Sequence, residues 1–141
     1  MFYSSKAYLN ARGGPSVLVL SHDVKRCISD SQVTSGQLNI VSTQATTGVA
    51  LFENDAKIHE AWLEYAQKQF AEANEDKVSR RSGAGATKFH LMAALTGISL
   101  TLPIENGRLA TSAFYEVIAL DYETKPGRRE FLLTVVGEGG K

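Results

Sequence analysis

The sequence predicts an α+β fold, an antiparallel β-sandwich of about seven or eight strands with two or three helices. Several segments alternate apolar and polar residues, which is the period of a half-buried strand. Helical stripes interrupt these segments, but not in the strand–helix alternation that a parallel sheet requires. The chain has 141 residues, of which 43% are hydrophobic and 21% charged, the composition of an ordinary globular protein. We therefore expect a single domain over residues 1–141.

The first half of the chain predicts four strands and one helix. Asp23 is a good N-cap for a helix whose Val24, Cys27 and Ile28 share one face. After this helix, Leu38 and Ile40 alternate with polar residues, which is the pattern of a strand. The strands are predicted over residues 2–9, 16–20, 37–43 and 47–53.

The clearest helical stripe follows the fourth strand. Asn54 or Asp55 can cap this helix, and the stripe continues to about Ala73. Trp62 and Phe70 lie on the stripe, so we interpret them as packing in the core or at a subunit interface.

Residues 74–87, NEDKVSRRSGAGAT, are almost free of large apolar side chains. This composition predicts a mobile surface loop. A second interpretation is a lid that brings Arg80 or Arg81 to an anionic substrate.

A helix stop and an alternating strand follow this loop. A short helix is predicted over residues 91–95, with Gly97 in place to end it. Residues 98–104 alternate strictly between apolar and polar side chains. Pro103 cannot donate a hydrogen bond to a sheet, so it should lie at a strand end or an edge.

The dipeptide Asn106-Gly107 predicts a β-hairpin, because both residues tolerate a positive φ. Further strands are predicted over residues 108–111, 114–122 and 131–136.

Charge, hydropathy and cysteine content disfavour nucleic-acid and membrane partners and indicate a location. Fifteen basic residues balance fifteen acidic ones, whereas nucleic-acid-binding proteins usually have a basic excess. No apolar run approaches the length of a membrane-spanning helix, and the N-terminal residues show no signal-peptide pattern. The single cysteine, Cys27, fits a reducing compartment. We expect a cytoplasmic protein with neither nucleic-acid nor membrane partners.

Two blocks of sequence carry a family resemblance. The first covers residues 42–54, STQATTGVALFEN, and the second covers residues 90–109, HLMAALTGISLTLPIENGRL. In this order and spacing they resemble the YjbQ family of small proteins, often labelled secondary thiamine-phosphate synthases. The resemblance implies a sandwich that assembles as a homotrimer, with sites near the subunit boundaries.

The family carries one histidine in the first block and two more, one residue apart, at the start of the second block and just before it. Their positions fall on Gln44, Lys88 and His90 of this chain. Only His90 keeps an imidazole. A lysine ammonium has no lone pair and an amide oxygen is a weak zinc ligand, so we expect no metal and no cofactor. Lys88 and His90 share a face only if the chain is extended there, so the helix should begin at or after His90.

Other residues of the family pattern are retained. They are Glu53 and Asn54 at the end of the first block and Arg108 in the hairpin. We expect an anion site in which Lys88 and Arg108 donate to a phosphate, with Glu53 or His90 as the acid or base.

In that site Gln44 and Asn54 bind the ligand as neutral partners. Five of these residues, Gln44, Glu53, Lys88, His90 and Arg108, are expected to approach one another within one subunit or across two. Three of these residues also have a purely structural interpretation: His90 as a core histidine, Glu53 as a helix-capping residue and Arg108 as a surface arginine.

The sequence supports two functions. One is an enzyme that acts on a small phosphorylated molecule, as thiamine-phosphate synthases do. The other is a catalytically degraded, trimeric binding or structural protein that keeps the fold. The two missing histidines favour the second function, as does the sequence at residues 112–115, where the family has Gly-Thr-Trp-Gln.

Overall fold

The computed structural model describes residues 1–70 and 87–139, and it confirms the predicted α+β fold. This part of the chain forms eight strands and three helices, and every strand pairing is antiparallel. The strands are β1 (Phe2–Ala11), β2 (Ser16–Val19), β3 (Val33–Ser42), β4 (Thr47–Glu53), β5 (Ser99–Glu105), β6 (Arg108–Leu109), β7 (Tyr115–Asp121) and β8 (Gly127–Gly139). The helices are α1 (Ser21–Ser31), α2 (Ala56–Gln69) and α3 (Thr87–Thr96).

The strands form two sheets. The larger sheet has five strands in the order β1-β8-β3-β5-β6, and the smaller has three in the order β2-β7-β4. The last strand of the chain, β8, therefore lies between β1 and β3. A close approach of two glycines marks the β3–β8 pairing. Gly36 is opposite Gly137, and a Cβ atom added to Gly36 would meet the carbonyl of Val136.

One apolar cluster fills the space between the two sheets. The alternating residues of the five-stranded sheet supply Leu38, Leu102 and Phe131, and α1 supplies Val24 and Ile28. Alternation along each strand removes every second side chain from water, which is the main source of stability in such a sandwich.

A second cluster covers the outer face of the three-stranded sheet. Ile118, Leu120 and Tyr122 contribute from β7 and the residue after it, while Ala66 of α2 and Met92 of α3 pack against them. Trp62 and Phe70 pack on the same cluster, which confirms the prediction of core packing for them. The molecule thus has three layers: the five-stranded sheet, the three-stranded sheet, and the pair α2 and α3.

A buried ion pair joins β7 to β8. The Arg129 Nε atom donates to Asp121 Oδ1 across 3.1 Å, and both side chains are almost completely buried. The Thr47 hydroxyl donates to the same oxygen across 2.9 Å. A buried charge is tolerated only with such partners, so this cluster fixes the relation of β4, β7 and β8.

The predicted hairpin at Asn106-Gly107 is confirmed. Glu105 pairs with Arg108, and both turn residues have positive φ, 53° at Asn106 and 74° at Gly107. β6 pairs only with Ile104 and Glu105, and the Ala110 amide donates to the Pro103 carbonyl across 3.0 Å, so Pro103 lies where the β5–β6 pairing ends.

Some predicted boundaries are wrong. α1 begins at Ser21 with Leu20 as its N-cap, so Asp23 lies inside the first turn instead of capping it. The predicted end of α2 near Ala73 and the predicted loop 74–87, with Arg80 and Arg81, lie outside the described residues, apart from Thr87, which begins α3. Among the helices of residues 1–70 and 87–139, none has the length and apolar character needed to cross a membrane.

Candidate functional site

Five of the six predicted site residues fall into two groups at opposite ends of β4. Gln44 precedes this strand and Glu53 ends it, so the seven residues of β4 separate them. At about 3.3 Å per residue this separation is roughly 20 Å. Within one subunit, therefore, the expected approach of Gln44, Glu53, Lys88, His90 and Arg108 does not occur.

His90 and Gln44 belong to the first end. His90 lines an open cleft of about 580 Å³ together with Ala45, Ala94, Gly97, Ile98 and Ser99. Gln44 precedes Ala45, and its amide Nε2 donates to the Arg128 carbonyl across 3.4 Å. Gly97 follows the last residue of α3 with a φ of 100°, as the sequence predicted, and turns the chain from α3, which carries His90, into β5.

Two polar atoms at this end lack partners. Among the described residues, neither Oε1 of Gln44 nor Nε2 of His90 makes a hydrogen bond, and both atoms are shielded from water. A shielded polar atom without a partner costs about 1–3 kcal/mol. Such a cost is often a sign of a site that a ligand or partner completes.

Lys88 does not join His90. The prediction that α3 begins at or after His90 is wrong, because the helix begins at Thr87. Two residues apart on a helix, Lys88 and His90 point about 200° away from each other. The Lys88 ammonium lies instead 5.6 Å from the centre of the Phe89 ring.

A chain of hydrogen bonds holds α3 in place. Tyr122 is fully buried, and its hydroxyl is 2.7 Å from both Trp62 Nε1 and Thr96 Oγ1. Burial raises the pKa of the Tyr122 hydroxyl, and the two hydrogen bonds oppose the rise. Because Thr96 is the last residue of α3, this chain positions the helix that carries His90.

Glu53 and Asn54 lie at the second end. Glu53 pairs with Tyr115 of β7, and the Asn54 amide donates to the Phe114 carbonyl across 2.8 Å. The Glu53 carbonyl lies 3.2 Å from Nε2 of His59. The next residue along, Asp55, caps α2 by accepting a hydrogen bond from the Lys57 amide. These contacts join the start of α2 to the β6–β7 loop.

Arg108 lines a pocket next to this loop. The pocket has a volume of about 640 Å³ and lies between α1, the β5–β6 hairpin and the start of β7. Four apolar side chains and seven polar or charged ones line it, with Gly107 and Ala113. The apolar ones are Ile28, Leu51, Leu109 and Val117, and the polar or charged ones are Ser21, Lys25, Arg108, Thr111, Ser112, Tyr115 and Glu116.

The sequence interpretation missed the α1 wall of this pocket. Ser21, Lys25 and Ile28 are spaced four and three residues apart, so one helical face carries a hydroxyl, a cation and an apolar side chain. That spacing was the available signal, although Lys25 itself is exposed. Neither Lys25 nor Arg108 forms an ion pair with any residue of 1–70 or 87–139.

The described residues offer no ready metal site. In the part of the chain that the structure describes, no three His, Cys, Asp or Glu side chains come together. Cys27 is buried beside Ser5, and burial raises the pKa of its thiol, so its thiolate fraction at neutral pH is low.

Comparison with known proteins identifies relatives over nearly the whole chain. Residues 6–138 match the family described as UPF0047 protein YjbQ-like. A UPF0047 protein of Archaeoglobus fulgidus is 26% identical over 114 residues, which cover 80% of this chain and 86% of that protein.

Solved structures share the fold. A YbjQ-like protein of unknown function from Sulfolobus solfataricus P2 aligns with a TM-score of 0.85 at 15% identity, covering 98% of this chain and 99% of that one. An uncharacterized conserved protein of the YjbQ/UPF0047 family from Clostridium acetobutylicum aligns with a TM-score of 0.82 at 20% identity, covering 94% and 99%. At these identities the likeness shows the fold alone.

Proposed function

The chain belongs to the UPF0047 family of YjbQ-like proteins, and from this premise we propose that it binds a small phosphorylated ligand. The observation that carries the proposal is the convergence of Lys25 and Arg108 on the pocket between α1 and the β6–β7 loop. A phosphate is an acceptor with two negative charges, and Arg and Lys are the side chains that bind it best.

The rest of the pocket suits an organic phosphate better than a free ion. Its apolar lining residues can hold a carbon skeleton, and its volume of about 640 Å³ is within the usual range for small-molecule sites. The Ser21 hydroxyl accepts a hydrogen bond from the Val117 amide across 3.1 Å, which leaves its own proton free to donate to the ligand. The Glu116 carboxylate can accept a hydrogen bond from a ligand hydroxyl.

Calorimetry with phenyl phosphate and pyrophosphate tests the proposal. Arg108→Gln and Lys25→Gln should each weaken binding about tenfold, because each removes a charge-assisted hydrogen bond. Arg128→Gln is the matched control, since Arg128 is an exposed arginine that stacks on the Tyr8 ring, 4.5 Å from its centre, and does not line the pocket. Unchanged affinity in both pocket variants would overturn the proposal.

A thiamine-phosphate synthase-type activity is the enzymatic form of this proposal. The expected acid or base residues are Glu53 and His90, which lie at opposite ends of β4. They can act on one ligand only if neighbouring subunits of a homotrimer bring these two ends together. Formation of thiamine phosphate, lost in both Glu53→Gln and His90→Gln, would support the enzyme.

A binding or structural protein without catalysis is the second candidate. It is favoured by the separation of Glu53 from His90 within one subunit. It predicts phosphate binding in the Arg108 pocket with no turnover, so the same calorimetry and product assay distinguish the two.

We also propose that the subunits associate through the outer face of the five-stranded sheet. Phe2, Leu132 and Val136 lie on this face and are exposed, with Phe2 paired directly with Val136. Phe2 is 70% exposed. Adjacent exposed apolar side chains of this kind are typical of an interface between subunits.

A further inference from the structure

The outer edge of β1 lacks most of the features that protect the edge of a sheet. β1 pairs with β8 on one side and with no described strand on the other. Its ten residues follow β8 in one unbroken register, and Lys6 is the one charged residue among them. Edge strands are usually kept short, or are interrupted by a bulge, a proline or several charges. β1 therefore has the form of a strand that another strand covers.

The other sheet edges in the described part of the chain are better protected. β2 has four residues and β6 has two. β4 is longer, but the Val49 amide on its outer side donates to the Gly97 carbonyl across 2.8 Å, so the end of α3 covers part of it. The long open edge of β1 is thus an exception within this fold.

The hydrogen bonds at the start of β1 show which residues face this edge. The Met1 amino group donates to the Gly137 carbonyl across 2.7 Å, and the Gly137 amide donates back to the Met1 carbonyl across 3.1 Å. In an antiparallel pair, residues bonded in this reciprocal way alternate with residues whose backbone groups point to the other side. The register then directs the N–H and C=O groups of the even-numbered residues of β1 away from β8. These residues are Phe2, Ser4, Lys6, Tyr8 and Asn10, and all five are exposed.

We propose that this edge pairs with the β1 edge of a second copy of the chain, antiparallel and about a twofold axis. A twofold contact requires a surface that is complementary to itself. The β1 edge meets this requirement, because each even-numbered residue directs one donor and one acceptor outward. Pairing joins the five-stranded sheets of two copies into one continuous sheet. The contact depends neither on the phosphate pocket nor on the proposed association through the outer face.

The side chains of β1 select the register of this pairing. An axis at Lys6 places two ammonium groups directly opposite each other, which is destabilising. Moving the axis one residue toward the N-terminus places Ser4 opposite the partner's Lys6. The same register places Phe2 opposite the partner's Tyr8, and aromatic pairs across strands are stabilising. Moving the axis the other way brings Lys6 to the partner's Tyr8, a ring that Arg128 already covers. We therefore place the axis at Ser5.

Proline at Ser4 tests the pairing, because it removes an outward N–H and no hydrogen bond to β8. Each hydrogen bond exchanged with water contributes little, so we expect association between about 10 μM and about 1 mM. Light scattering over this range should show the particle mass doubling, whatever its size at the lower end. Ser4→Pro should abolish the doubling, whereas Ser4→Ala, which keeps the N–H, should retain it. Circular dichroism shows whether Ser4→Pro is folded, and Lys6→Pro replaces it if it is not.

Amide hydrogen exchange tests the same contact in the unmodified chain. The Ser4 and Lys6 amides should exchange at least about fivefold more slowly at the upper concentration, because pairing protects them. The Tyr3 and Ser5 amides bond to β8, so they should be protected at both concentrations. This alternation along β1 distinguishes edge pairing from a general loss of exposure.

Cross-linking tests the register. Ser4→Cys combined with Lys6→Cys should give a disulfide-linked dimer on oxidation, since directly opposite residues have Cα atoms about 5.5 Å apart, which suits a disulfide. Phe2→Cys combined with Lys6→Cys is the matched control, because these two positions are not opposite each other in the proposed register.

Three results would overturn the proposal. The first is a particle mass that stays constant up to about 1 mM. The second is a doubling that persists in a folded Ser4→Pro or Lys6→Pro variant, which would assign the contact to another surface. The third is exchange of the Ser4 and Lys6 amides that does not change with concentration, which would leave the edge uncovered or give it to a different occupant.

Discussion

The indole nitrogen of Trp62 donates a hydrogen bond to the Tyr122 hydroxyl across 2.7 Å, which ties α2 to the end of β7. The direction of the next bond follows from proton counting. The Thr96 hydroxyl donates its single proton to the Met92 carbonyl, so it must accept from Tyr122. Each donor in this series of hydrogen bonds therefore points from α2 toward α3.

Replacing Tyr122 with Phe should reduce the free energy of unfolding by about 1–3 kcal/mol, because the Trp62 N–H loses its acceptor inside the protein. Urea denaturation measures this change. Tyr65→Phe is the matched control, since Tyr65 also contacts the Trp62 ring but is 51% exposed. Equal costs for the two variants would contradict the assigned role of the Tyr122 hydroxyl.

Alkaline pH should weaken the protein through the same residue. Burial raises the pKa of Tyr122 above its value in the unfolded chain, so the folded state holds this proton more tightly. The resulting stability is complete below the ordinary tyrosine pKa of about 10 and is lost as the pH rises through the folded-state pKa. The stability difference between the wild type and Tyr122→Phe should therefore shrink above about pH 10. A stability difference that stays constant above this pH would argue against a role for the Tyr122 proton.

The Asp121–Arg129 pair should be costly to break from one side. Arg129→Met leaves the Asp121 carboxylate buried without its cation, and we expect a loss of about 3–5 kcal/mol. Adding Asp121→Asn should recover part of this loss. Lys6→Met, which breaks the exposed pair between Lys6 and Glu130 at 3.7 Å, should cost less than about 1 kcal/mol. Thermal or urea unfolding of these three variants and the wild type measures the differences, and equal losses in Arg129→Met and Lys6→Met would contradict the expectation.

Light scattering should give a particle of about three times the 15.3 kDa subunit mass. Val136→Glu should dissociate it, because that side chain lies on the proposed interface. Val19→Glu is a closely matched control, since both valines are 44% exposed and Val19 belongs to the other sheet. A monomer in the wild type, or equal effects of the two substitutions, would count against the interface.

The unmodified chain should bind no zinc at the cleft beside α3, because His90 is the one imidazole that it supplies there. Substitutions that add imidazoles should create a zinc site. His90 and Ala94 are one helical turn apart and line the same cleft, so Gln44→His with Ala94→His offers three imidazoles. Gln44→His with Lys88→His should bind zinc more weakly, because positions 88 and 90 diverge on α3. Calorimetry with zinc compares the two, and tighter binding by the second pair would show that α3 unwinds there.

The sequence predicted those elements whose determinants are local. The period-two pattern in β5, the positive-φ turn at Asn106-Gly107 and the end of α3 at Gly97 all depend on neighbouring residues, and all are confirmed. β8 is longer than predicted, since it includes Arg128, Arg129 and Glu130. Buried Arg129 is stabilised there by Asp121, a partner that only the fold supplies.

The candidate site was harder to predict for the same reason. The family resemblance predicted that Gln44, Glu53, His90 and Arg108 are site residues. The distances between them depend on the fold, which places them at opposite ends of β4. Lys25 belongs to no motif, and it joins Arg108 only because α1 packs near the β5–β6 hairpin. Whether neighbouring subunits unite the two ends stays a prediction.

The position of β8 has a consequence for synthesis on the ribosome. β1 and β3 have no direct pairing, and both hydrogen-bond to β8, which is made after every other strand. During translation the apolar faces of β1 and β3, and the edges that pair with β8, stay exposed until β8 has been synthesised. The five-stranded sheet therefore cannot assemble progressively from the N-terminus. Folding is therefore expected to be a late, concerted event, and a stalled chain that lacks β8 is a natural substrate for chaperones and proteases.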